Sequence, residues 1–219
     1  MYNEFNRLLW GGIVKDEETL QNNESNSARD QKNDVTKTIL GYVHDLVYLL
    51  AGILIVFLIF FRVVVVSGPS MQNTLVDGDY LLLLSKVFYS QPAQGDIIVA
   101  AKDSYGNGTP IVKRIIATEG QVVDIDFETG IITVDGQIIE EPYIKNLTTN
   151  PQGTVFPLRV EEGCVFVLGD NRMNSKDSRS PVIGQIDKRE ILGKAVFLFF
   201  PGTDQGNLER DFSRMGALS

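Results

Sequence analysis

The chain has 219 residues, a formal net charge of -8, one cysteine and one histidine. That length holds one ordinary domain with an appendage and has ample chain for a buried core. Its acidity argues against nucleic acid, which needs a basic face, and the single cysteine, Cys164, excludes an internal disulfide and a cysteine metal cluster.

Residues 1–38 are polar and mixed in charge, a composition that buries little and reads as a disordered tail. Within it, Phe5 to Val14 suits either a short amphipathic turn at a membrane surface or plain tail. Residues 39–66 form an apolar run with no charge between Asp45 and Arg62. The run is long enough to cover the ~20 residues that span hydrocarbon. Tyr42, Tyr48, Phe60 and Phe61 stand near its ends, where aromatic belts sit. A cleaved signal peptide would start with a positive terminus and a short apolar core. Here a long polar stretch comes first, so the run reads as an uncleaved anchor. Arg29, Lys32 and Lys37 precede it and mainly Arg62 follows, which points the N-terminus to the cytoplasm.

Beyond Val66 the pattern changes to period two. Short β-rich runs such as "DYLLLLSKVFY", "PIVKRIIAT", "GIITVDGQII" and "GKAVFLFFPG" alternate with turn signals, including an Asp-Gly hairpin at "VDGQ". Helical periodicity is confined to "DKREIL". An all-β domain over 67–203 is therefore expected, built as a folded antiparallel sheet. An excursion over about 120–163 and a tail over 204–219 complete the organisation.

This domain contains no histidine, because His44 lies within the anchor. Any acid–base chemistry must use Lys, Asp, Glu or Tyr, and a Ser-His-Asp triad within the domain is excluded. In "PIVKRIIAT" strand alternation puts Lys113 on a face with Ile111, Ile115 and Ala117, and Arg114 on the other with Val112 and Ile116. A lysine desolvated among aliphatic groups loses its proton more easily and becomes a base. On alternation alone, a lysine snorkelling to water is the plainer reading. Ser70 follows Gly68-Pro69 on a forced bend, and a serine hydroxyl needs such a base to act as a nucleophile. By itself "GPS" is only a turn. The segment "GDNRMNSKDSRS", Gly169 to Ser180, is either an elaborate surface turn or a hydrogen-bonded network with Asp170 and Asp177 placed to pair with Arg172, Arg179 or Arg114. Cys164 reads as a plain core thiol. Asp124, Asp126 and Glu128 read as a solvated face rather than a metal site.

Together these segments resemble the bacterial type I signal peptidases, membrane-anchored serine proteases that remove signal peptides. "SMQNTL" resembles the family's box around the nucleophile, and "KRIIATEG" the box holding its lysine base. "GDNRMNSKDSR" resembles the third box almost letter for letter, and "GDYLLLLSK" the strand between the first two. The likeness covers about Arg62 to Pro201, in the family's order and after a family-like anchor. It implies that Ser70 is the nucleophile, Lys113 the general base, and Ser175 the hydroxyl that orients the lysine amine. It also implies that Met71 walls the substrate cleft, and that Asp177, with Arg179 and Arg114, forms a supporting charge network. Two positions depart from the pattern. Asn73 replaces the usual proline, with no chemical consequence expected. Gly68 stands where Gram-negative members carry a serine of the oxyanion hole, as in the Gram-positive branch. The oxyanion donors expected are then the Ser70 backbone N–H and a second donor that the sequence does not name, either a backbone group such as that of Gly68 or a water.

The resemblance implies a signal peptidase/LexA-like all-β catalytic domain behind one transmembrane helix. Its substrates would be signal-peptide-bearing preproteins, bound extended along a strand edge at the membrane lipid surface. The expected enzyme is a monomer without metal or cofactor, single-pass in the cell membrane with its catalytic domain outside. A self-cleaving LexA-type repressor shares the Ser/Lys pair, but it needs a DNA-binding module where this chain has an anchor. A catalytically inactive anchored β-domain is the other alternative, and the presence of Ser70, Lys113 and Ser175 speaks against it.

Overall fold

The computed structural model describes residues 34, 37–102, 105–203 and 209–218. Phe5 to Val14 and the cations Arg29 and Lys32 lie outside the described residues. Contacts divide the chain into a unit ending at Val56 and a second unit, Phe57–Ser219.

Helix α1, Lys37–Phe60, is 24 residues long and carries its apolar side chains on the outside rather than in a core. It is long and apolar enough to cross a membrane. The apolar run 39–66 nevertheless divides. At Phe61 the chain becomes strand β1 (Phe61–Val65), because its valines favour extended backbone and β2 (Tyr80–Ser85) offers a ladder in register from Phe61↔Leu84 to Val65↔Tyr80.

The main sheet adds β3 (Ile97–Ala100), β4 (Ile111–Thr118), β9 (Cys164–Leu168), β10 (Ile186–Asp187), β11 (Ile191–Phe200) and β12 (Gly216–Ala217). Its order is β1-β2-β11-β3-β4-β9-β10, with β12 also on β11, and every pairing is antiparallel. Register shifts in β11 between Ala195 and Phe197 and between Leu198 and Phe200 let one strand serve β3, β2 and β12. Part of the segment 204–219, expected as a tail, is thus a member of the sheet, and Leu218 packs against the core.

Between β4 and β9 the chain builds a second sheet from β5 (Val122–Asp126), β6 (Ile131–Val134), β7 (Gln137–Ile138) and β8 (Leu158–Arg159), in the order β7-β6-β5-β8. Asp135 and Gly136 turn β6 into β7 with φ of 51° and 77°, the two positive angles that an Asp-Gly hairpin turn needs. "DKREIL" supplies only a 3-10 turn, Lys188–Glu190, capped by the Asp187 side chain. Three apolar clusters fill the second unit. One, around Met71, Leu75, Leu81, Leu83 and Ile97, lies beneath the connection from β1 to β2. The others flank β4 and β9 on either face.

Candidate active site

Ser70 lies on the connection from β1 to β2. The ladder continues at its neck, where the Val66 N–H donates to the Asp79 carbonyl and the Gly78 N–H to the Val66 carbonyl. Gly68 has φ of 89°, a left-handed angle that its lack of a side chain permits, and turns the chain into Pro69 and Ser70. Two carboxylates then hold the loop from inside. Asp77 accepts the Gly68 N–H at 2.7 Å. Asp79, fully buried, accepts N–H groups from Val76 and Gly202 and both guanidinium ends of Arg214.

Lys113 sits in β4 opposite Ile98. Its side chain is only 5% exposed, and its Nζ lies 2.8 Å from Ser70 Oγ while donating to the Val112 carbonyl at 3.0 Å. Burial drives its pKa from the ordinary 10.5 down to about 8, against the pull of the Asp177 and Asp170 carboxylates, with Arg179 adding to the depression. Ile111 and Ile115 share the Lys113 face, as alternation requires. Ala117 does not, because a register shift between Ile115 and Ala117 moves it to the cluster that holds Ile116.

The loop after β9 folds back on its own strand. The Val167 N–H donates to Ser178 Oγ, the Ser178 N–H to the Val167 carbonyl, and the Gly169 N–H to Asp177. Inside it, Arg179 grips Asp177 with two nitrogens at 2.8 and 2.9 Å, both side chains being wholly buried. Arg114 grips Asp170 in the same two-point way, at 3.0 and 2.9 Å. Arg114 therefore pairs with Asp170 rather than with Asp177. Alternation turns it away from Lys113, and Asp170 waits there just beyond β9. Such two-point pairs suit the guanidinium fork and hold loops at a set angle.

The loop also meets the serine directly. The Asn171 N–H donates to the Ser70 carbonyl at 3.0 Å, and its amide Nδ2 to the Pro69 carbonyl at 3.1 Å. Gly169 has no room for a side chain, since a Cβ there would strike the Ser175 side chain and the Ser70 carbonyl. Ser175 therefore lies beside the serine turn. Its hydroxyl is buried and, like Asn171 Oδ1, has no hydrogen-bond partner among the described residues.

Ser70 and Lys113 line one cleft of about 470 Å³ together with Val65, Gly68, Ile111 and Lys176, whereas Ser175, Arg114, Asp177 and Arg179 are buried behind its wall. Met71 does not line it. Its side chain is wholly buried in the apolar cluster beneath the loop, because the turn after Ser70 carries the next residue inward. The Gly68 amide is already committed to Asp77, whereas the Ser70 amide donates to no acceptor among the described residues. Asp126 binds the amides and hydroxyl of its own turn. Residues outside the expected set also matter. Asp170 holds Arg114 and accepts Thr74 Oγ1 at 2.5 Å. Arg172 is fully buried and binds Glu141 and Thr148. Asp170 and Arg172 lay within a recognisable box, but nothing in "IIEEPY" marked Glu141.

The site thus sets a buried lysine amine against a serine hydroxyl in a mostly antiparallel β domain that an apolar helix precedes, an arrangement of the kind hydrolase chemistry can use. The family model for signal peptidase, peptidase S26, matches residues 39–200. A probable signal peptidase I-1 of Synechocystis sp. is 39% identical over 150 residues, 65% of this chain and 73% of that protein. A signal peptidase I of Bacillus amyloliquefaciens is 36% identical over 152 residues, covering 66% and 76% of the two chains. Signal peptidase I T of Bacillus subtilis is 34% identical over 149 residues, covering 64% and 75%. The chain belongs to the signal peptidase family, peptidase S26, and is a serine endopeptidase.

Proposed function

We propose that the chain is a membrane-bound signal peptidase that cleaves preproteins with Ser70 as nucleophile and Lys113 as general base. The observation that carries this is the buried Lys113 amine 2.8 Å from Ser70 Oγ, with its pKa brought down to about 8. Neutral Lys113 takes the Ser70 proton as Oγ attacks the scissile carbonyl. The proton passes to the leaving amine, an acyl-enzyme remains, and water activated by the same lysine hydrolyses it. The unengaged Ser70 amide is the oxyanion donor available in the turn. A neutral amine keeps two N–H groups. One donates to the Val112 carbonyl, and the unpartnered Ser175 hydroxyl is the acceptor we assign to the other.

The signal peptide runs extended along β1, the end strand of the main sheet, whose Val64 and Val65 line the cleft together with Ile111 and Val112 of β4. Main-chain pairing gives affinity, and the apolar walls select small side chains. Helix α1 anchors the chain with the N-terminus in the cytoplasm and the catalytic domain outside, as a monomer at the lipid surface. Purified full-length protein in detergent should cleave a preprotein at its signal-peptide boundary, and Ser70→Ala and Lys113→Ala should each abolish cleavage. Either variant retaining turnover would refute the pair.

A further inference from the structure

The segment Glu141–Lys145 touches every part of the site. Glu141 takes both terminal nitrogens of Arg172, in the loop after β9. The Tyr143 ring lies 3.9 Å from the Arg114 guanidinium carbon, on the strand that carries Lys113. The Ile144 carbonyl accepts Asn73 Nδ2, and Lys145 Nζ donates to Gln72 Oε1, both in the Ser70 turn. Finally, the Lys145 N–H donates to the Asp170 carbonyl. Five consecutive residues thus bridge the nucleophile turn, the lysine strand and the Ser175 loop, although all of them are distant in sequence.

Tyr143 is the centre of this bridge. Hydrogen bonds from the Arg114 guanidinium to Asp170, Gly95 and Thr74 hold its edge. The Tyr143 ring covers one face, and its hydroxyl donates to Glu141 Oε1 at 3.2 Å, so the ring is itself tethered to the carboxylate that binds Arg172. An edge-held, face-held Arg114 keeps β4 and the Asp170 loop at one spacing.

We propose that Tyr143 is a positioning residue for peptide-bond cleavage: stacked on Arg114, it sets the approach of the Lys113 amine to the Ser70 hydroxyl. The proposal rests on the Ser70–Lys113 reading. Without the ring, Arg114 loosens from Asp170 and the wall around Lys113 opens. The charged groups acting on Lys113 are Asp177, Asp170 and Arg179; its strand neighbour Arg114 points to the other face, and Lys176 lines the same cleft. Wetter surroundings and a less neutralised Asp170 both favour the ammonium form, so the acid limb of activity must move to higher pH.

The test compares full-length Tyr143→Leu and Tyr143→Phe with the wild type in detergent, using a preprotein substrate. It reads kcat, KM, the pH profile of kcat/KM and the unfolding temperature. Tyr143→Leu should lose about tenfold to a hundredfold in kcat with KM nearly unchanged, and its acid limb should move up. Tyr143→Phe keeps the ring and should match the wild type in kcat, KM and pH profile, with at most a small fall in unfolding temperature from the lost Glu141 hydrogen bond. A Leu variant with normal kcat and profile overturns the proposal, as does one whose loss merely follows its unfolded fraction at an unchanged profile. Should the Leu variant not fold, Tyr143→Phe still decides: normal kcat and profile are expected, and a folded Phe variant with kcat down tenfold or more would assign the effect to the hydroxyl and overturn the stacking proposal. Ser70→Ala and Lys113→Ala run alongside; if they stay active, the underlying reading fails whatever Tyr143 does.

Discussion

A lysine amine is a base at neutral pH only where the protein makes its ammonium form costly, and Lys113 meets that condition by burial in β4. Activity should therefore rise with pH through about 8, the value to which burial lowers this group. Lys113→Arg keeps size and charge but cannot become neutral, so it should be inactive; substantial turnover in that variant, or a wild-type acid limb near that of a free lysine, would remove Lys113 from the role. The same depression has a stability consequence. Between about 8 and 10.5 the unfolded chain binds a proton that the folded chain does not, so folding becomes more favourable as pH rises through that window, and the full cost is present below it. That cost is on the order of 3 kcal/mol, from the shift of 10.5 to about 8. Lys113→Met should raise the unfolding temperature at pH 7 and lose its advantage by pH 11. An equal gain at both would mean that packing, not charge, explains it.

Among the elements, the loop after β9 is held by buried pairs and by one missing side chain. Removing one member of the Asp177–Arg179 pair leaves a bare charge where neither side chain reaches water. Arg179→Met should cost roughly 3–5 kcal/mol in denaturant unfolding. Adding Asp177→Leu should recover much of that, since the stranded carboxylate is then gone as well. Additive losses in the double variant would show that the pair is not a unit. Gly169→Ala acts differently. Its methyl would meet the Ser175 side chain and the Ser70 carbonyl, one of them backbone that cannot swing away. Turnover should fall about a hundredfold or more while folding is only partly weakened. Normal turnover in that variant would mean the Ser70 turn has room to move.

For the whole molecule, topology is the main inference to be checked. Lys37 at the start of α1 and the cations before it outnumber Arg62 after it, so the second unit should face outward. Protease added to intact protoplasts should digest the domain from Ser67 onwards and spare the N-terminal segment. Loss of the N-terminal segment alone reverses the orientation.

Sequence by itself determined whatever depends on near neighbours or on residue identity. The lack of any histidine beyond His44, the apolar run, the Asp-Gly turn, the placing of Lys113 with Ile111 and Ile115, and the motifs around Ser70, Lys113 and Ser175 were all readable, because each is a local pattern. The tertiary structure decided what rests on register and distant pairing. A one-residue bulge after Ile115 moved Ala117 to the other face, and alternation cannot foresee a bulge. The choice of Asp170 over Asp177 for Arg114 depended on how β9 aligns with β4. The inward turn of Met71, the return of β12 to the sheet and the bridge from Glu141 to Lys145 arose in the same way. Each joins groups far apart along the chain, and only the closed sheets bring them within reach of one another.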